Sequence, residues 1–425
     1  MQRWLRTLAL GAVLAIGAAA CGGGDGNDAS SAGPTDSATT SPTGSTGEME
    51  MGSTASIDTG AASIRTGLSN LLQEHVYLAG IATGTAIDEG PDSEAFAEAA
   101  ATLDANSVAL SEAVASVYGE DGGATFLDLW RAHIGMFVDY TVGAATGNEQ
   151  MKRAARADLD GYRGDFGAFI ESATEGGLSK DAVAAELEMH VDSLTAAIDA
   201  QAAGDPQAYQ LLREAASHMP MTANVLAGAI VTQFPDEFDG AVDAPAAELR
   251  VGLNTLLQEH VYLAGIATGT GLTAGPESKR FAAAAETLDA NSVALSEAVA
   301  SVYGEDGGVA FLELWRAHIV MFVDYTLAVA GGDEQEKEQA LAELDGYRDD
   351  FGAFIESATE GGLSKDAVAA ELEMHVDSLT AAIDAQAAGD AQAFTLLREA
   401  ASHMPMTADV LAGAIVTQFP EDFAA

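Results

Sequence analysis

Eight histidines carry most of the potential chemistry of this 425-residue chain: His75, His133, His190, His218, His260, His318, His375 and His403. Each stands in a segment whose apolar residues recur at helical spacing. In the stretch L-W-R-A-H-I-G-M-F-V-D-Y, from Leu129 to Tyr140, the residues Phe126, Leu129, Trp130, His133, Met136, Phe137 and Tyr140 share one helix face. The His133 imidazole therefore points where the large apolar side chains point. One histidine on an apolar face is more often a satisfied core residue than a ligand. Four of them on four helices are harder to dismiss, because helical bundles hold metals and haem with side chains from facing helices. The competing reading is a buried polar network in a structural or interaction module. Glu186 and Glu214, four residues before His190 and His218, would be its partners, with Tyr77, Tyr140 and Asn106.

Methionine tilts the choice toward a ligand site. Met136 follows His133 by three residues, Met219 and Met221 flank Pro220 in H-M-P-M after His218, and Met321, Met404 and Met406 repeat the pattern. Thioethers with imidazoles suit Cu(I), and a mixed set suits Cu(II)/Cu(I) exchange or haem iron. Met is also a flexible core filler, and Met189, adjacent to His190 on the helix, points to a different face. The candidate ligands are thus the eight histidines with Met136, Met219, Met221, Met321, Met404 and Met406. The candidate ligand is copper first and haem second.

Spacing excludes several familiar centres. The chain has no E-x-x-H or H-E-x-x-H, and its single cysteine rules out C-x-x-C-H. No histidine has His or Glu four residues after it, no glycine-rich phosphate loop opens a helix, and G-x-S-x-G is absent. No arranged nucleophile or acid/base pair is evident, so no catalytic residue is assigned.

The histidines are positioned by a duplicated unit. L-L-Q-E-H-V-Y-L-A-G-I-A-T-G-T runs from Leu71 to Thr85 and recurs from Leu256 to Thr270, and the same offset of 185 residues relates the histidines in pairs. The copies align without gaps at roughly four residues in five, a period far above that of short solenoid repeats. The expected organisation is an all-α protein of two tandem helical bundles, residues 62–240 and 247–425, of about six helices each. In the first unit the expected helices cover about 62–86, 92–118, the His133 stretch to near Gly147, and 149–174. A fifth starts after Ser179, and a sixth opens at Asp205-Pro206. Pro220 cannot donate to the Ala216 carbonyl, so the last helix is expected to kink or restart just past His218.

The start of the chain reads as a leader. Arg3 and Arg6 precede an apolar run, and Ala18, Ala19 and Ala20 precede Cys21, a pattern that resembles the lipobox of bacterial lipoproteins. Residues 1–21 are therefore read as a lipoprotein signal peptide with Cys21 as the lipidated residue. Residues 22–61, rich in Gly, Ser and Thr, are read as a flexible tether that includes Met49 and Met51. The expected location is extracytoplasmic, with the lipid anchor as the only membrane contact. If Cys21 is acylated, disulfides and thiolate ligands are both excluded. A formal charge of −47 makes nucleic acid an unsuitable partner and concentrates cations near the surface.

The signatures L-L-x-E-H-V-Y-L-A-G, L-W-R-A-H-I and H-M-P-M-T-A together resemble uncharacterised secreted helical domains of Gram-positive bacteria. Some members of that class resemble parts of proteins labelled copper amine oxidase-like. The resemblance spans both units, assigns no residues and implies copper.

Overall fold

The computed structural model describes residues 56–424, and within them every regular element is a helix. Cys21, the leader and the Met49/Met51 pair lie outside the described residues. α1 (Gly60–Asp88) is capped by Thr59, whose hydroxyl accepts from the Ala62 amide. It begins two residues before the expected start of the first unit. α2 (Glu94–Thr146) is capped by Ser93 and carries Gly119 at φ 78° and ψ 168°. There the chain doubles back, so residues 94–118 and 120–146 form a helical hairpin. Ser111 donates to the Gly123 carbonyl across the bend, and Arg131 forks onto Asp104 further along. Only glycine adopts that φ without strain.

α3 (Glu149–Ala173), α4 (Lys180–Ala203), α5 (Ala208–Ser217) and α6 (Met219–Gln233) complete the first half. Ser179 caps α4, as expected from its position. The expected helix start at Asp205-Pro206 is corrected. Asp205 instead accepts from the Gln207 amide in a preceding turn, and α5 begins at Ala208. The helix restarts at Met219 with Pro220 in its first turn, where its missing N–H costs nothing.

The second half repeats these segments as α7 (Pro245–Ala274), α8 (Lys279–Tyr303), α9 (Glu305–Gly331), α10 (Glu334–Ala358), α11 (Lys365–Ala388) and α12 (Ala393–Gln418). α7 starts two residues earlier than the boundary expected at residue 247. Gly304 reproduces the bend of Gly119, whereas Pro405 lies inside a continuous α12.

α1 and α7 pack against each other and are buried around their whole circumference. The seam between them is self-complementary. Tyr77 stacks on Tyr262 at 5.4 Å between ring centroids and 10° between planes. Arg213 of the first half pairs with Glu259 of the second, and Arg398 of the second pairs with Glu74 of the first. These residues are counterparts at the repeat offset, so the halves meet about a pseudo-twofold axis.

Candidate metal centre

Three helices bring one histidine each to a single point in the first half. His75 comes from α1, His133 from the second arm of the α2 hairpin, and His190 from α4. They are 1%, 2% and 6% exposed. One ring nitrogen from each lies within 4.8 Å of the other two, and His75 Nε2 stands 3.4 Å from His133 Nε2. His260, His318 and His375 on α7, α9 and α11 repeat the arrangement, again with 3.4 Å between the first two Nε2 atoms. Two nitrogens on one tetrahedral ion with bonds of about 2.0–2.1 Å stand roughly 3.3–3.4 Å apart.

Aromatic side chains fix the rings. Trp130, one turn before His133, lies against both His75 (4.8 Å between centroids) and His133 (4.5 Å). Tyr162 of α3 stacks on His133 at 5.1 Å, and Phe137 presents an edge to His190. Trp315, Tyr347 and Phe322 do the same in the second half.

Burial also sets the protonation state. Desolvation, reinforced by the neighbouring imidazoles, holds His75 and His260 well below the ordinary histidine range. Desolvation and the His190 charge lower His133 to about 3, with the Trp130 carbonyl acting in the opposite direction. Desolvation and the His218 charge lower His190 to about 4. His318 and His375 follow at about 3 and about 4. All six are neutral at pH 7, the form in which imidazole is a ligand.

A cavity of about 200 Å³ adjoins the triad, with His190, Trp130, Phe126 and Phe166 in its wall; its counterpart beside His375 measures about 80 Å³. The walls are mainly apolar. Met219 and Met404, both buried, line them, as do Glu186 and Glu371.

The remaining candidates stand apart from the two triads. His218 and His403 are half-buried and fall outside the converging groups, His218 sitting at the junction of α5 and α6. They lie on the side of His190 and His375, whose pKa they depress. Met136 and Met321 are partly buried and pack on the core. Met221 and Met406 are 47% and 50% exposed, whereas the methionine two residues before each is buried. The expected network partners differ too. Nδ1 of His75, His133 and His190 has no hydrogen-bond partner among the described residues, so Glu186 does not satisfy His190. Tyr140 donates to Asp199, the Asn106 amide donates to the Leu71 carbonyl, and Tyr77 turns to the seam.

Tyr162 was legible only as one apolar position in the stripe Leu159, Tyr162, Phe166, and nothing in that stripe marks it as the ring that stacks on His133. What the site can do is bind: three neutral nitrogen donors, oriented and shielded from water, meet at one point in each half. No protein-family model matches the chain, and comparison with curated proteins and with solved structures finds no match.

Proposed function

We propose that this chain is an extracytoplasmic metal-binding protein, held to the membrane through acylated Cys21, that takes one transition-metal ion in each half. The ligands are His75, His133 and His190 in one and His260, His318 and His375 in the other. The observation that carries this reading is the meeting of three buried, neutral imidazoles from three helices, with one nitrogen pair 3.4 Å apart and the third nitrogen within 4.8 Å of both, twice in the same chain.

Copper is the preferred ion. Divalent copper stands highest in the affinity order at nitrogen sites. Met219 and Met404 are the thioethers that share a cavity with a triad histidine, and they suit Cu(I). The motif resemblance to copper amine oxidase-like proteins points the same way. Haem fits less well: the adjoining cavities, about 200 and 80 Å³, are smaller than the roughly 300–1,000 Å³ of sites for large organic ligands.

The test is titration of the purified full chain with Cu(I), Cu(II), Zn(II) and haemin, read by metal analysis and thermal melting. Two copper ions are expected per chain. A free concentration of 100 Kd would add about 2.7 kcal/mol of stability per site. Combined His133→Ala and His318→Ala should abolish both effects, while His133→Leu with His318→Leu controls for the loss of packing. Equal melting temperatures with and without every metal would defeat the proposal.

A further inference from the structure

We infer that Glu186 and Glu371 are carboxylate ligands of the two metal sites, completing a three-histidine, one-carboxylate set for a divalent ion. The inference rests on the metal-binding reading above and extends it. Glu186 stands four residues before His190, and Glu371 four before His375, so each pair shares one face of its helix one turn apart. Glutamate and histidine open onto the same cavity in each half. Each glutamate is the only acidic residue in its wall, and no lysine or arginine lines either cavity. In the second half Oε2 of Glu371 is buried and has no hydrogen-bond partner among the described residues.

Glu186 and Glu371 are half-buried, and a carboxylate on an apolar wall is disfavoured to the extent that it loses water without gaining a counter-charge. The triad histidine on the same wall, His190 or His375, is neutral and supplies none. The charge that would balance it is that of the ion the imidazoles hold. An M²⁺ ion on three neutral histidines keeps both positive charges inside an apolar core. One carboxylate reduces that to a single charge and supplies a fourth donor, giving the N,O set that Cu(II) accepts. The Glu186 carboxylate lies outside the converging group, so it must turn along α4 toward His190 when the ion binds. The cavity also keeps Met219 on the same wall, so one chamber offers a hard and a soft donor. Divalent copper favours the carboxylate, whereas monovalent copper is served by neutral nitrogen and sulfur.

The experiment compares the full chain with its double variant Glu186→Gln, Glu371→Gln, an isosteric change that removes only the charge. Cu(II) and Cu(I) affinities are measured by competition with chelators. Infrared difference spectra follow the carboxylate stretch on Cu(II) loading. The expected result is Cu(II) affinity lower by at least about 10-fold, since loss of a partner that only supports a ligand already costs about 10–100-fold. Cu(I) affinity should be unchanged. In the unmutated chain a carboxylate band should shift on Cu(II) loading, and the shift should vanish in the variant. The infrared arm needs only the unmutated chain, so it stands even if the variant folds poorly. Cu(II) affinity within twofold of the parent, with two ions bound and no carboxylate shift, overturns the inference and leaves the triads as ligands. Absence of any bound metal in the unmutated chain overturns both.

Discussion

Burial keeps the six triad imidazoles neutral, and that neutrality has a cost that depends on pH. In the unfolded chain they take up protons below about pH 6.5. In the folded chain His133 and His318 resist protonation to about 3, and His190 and His375 to about 4. Between those limits the unfolded state binds more protons. The stabilisation is therefore complete above about pH 6.5 and declines as pH falls toward 3–4, by about 1.4 kcal/mol per pH unit for each histidine. Denaturant unfolding of metal-free protein at pH 7, 6, 5 and 4.5 should show this decline, and His133→Leu with His318→Leu should flatten it. Identical slopes would mean that other groups set the acid limit. At this scale the sequence was partly readable. Apolar neighbours mark a histidine as inward-facing, which correctly picked out His75, His133 and His190. They do not report which helices converge, and His218 and His403 have the same kind of neighbours but fall outside the converging groups.

At the scale of the helix, close approach seats α5 on α1 one turn beyond His75. Gly80, on α1 between the triad and the helix end, has no side chain where Leu212 of α5 presses in. A Cβ there would sit 2.4 Å from the Leu212 Cδ1 atom, and Gly265 faces Leu397 in the same way. Leu212 is 2% exposed and has no solvent to turn into. Gly80→Ala should thus destabilise the protein by about 1–3 kcal/mol, the usual cost of overpacking. The check is a shift in the denaturation midpoint without a change in slope. A neutral or stabilising result would show that α5 is free to retreat. The helices themselves were legible, since periodicity and caps such as Ser179 are local properties. The full burial of α1 was not. Leu68, Leu71, His75 and Leu78 describe the face toward its own half, yet Arg65, Ser69, Asn70 and Gln73 are buried as well. Glu248 of α7 pairs with Arg65, and a hydrophobic stripe cannot announce burial achieved through polar side chains.

For the whole molecule, the duplication was visible as a 185-residue offset, but the seam was not, because it depends on how the copies face each other. Glu74 with Arg398, Glu259 with Arg213 and Tyr77 on Tyr262 form a surface that answers itself. A lone second half, residues 244–425, should therefore associate as a homodimer, its Glu259 meeting Arg398 of another copy. Sedimentation at micromolar concentration tests this, and a stable monomer would argue against the pseudo-symmetric seam. The corresponding first half should associate less well. Its Arg65 pairs across the seam with Glu248, at 2.6 Å, and the first half has Ser63 at that position. Arg250, the counterpart of Arg65, is held instead by Asp409 of its own half, where the first half has Asn224. The two equivalent arginines are thus neutralised by different acids, each replaced by an uncharged residue in the other copy. In a dimer of identical chains every substitution appears on both sides of the axis at once. Joining the copies in one chain removes that restriction, and Arg65 and Arg250 mark where the two sides of the seam use it, each arginine free to take a partner that the other lacks.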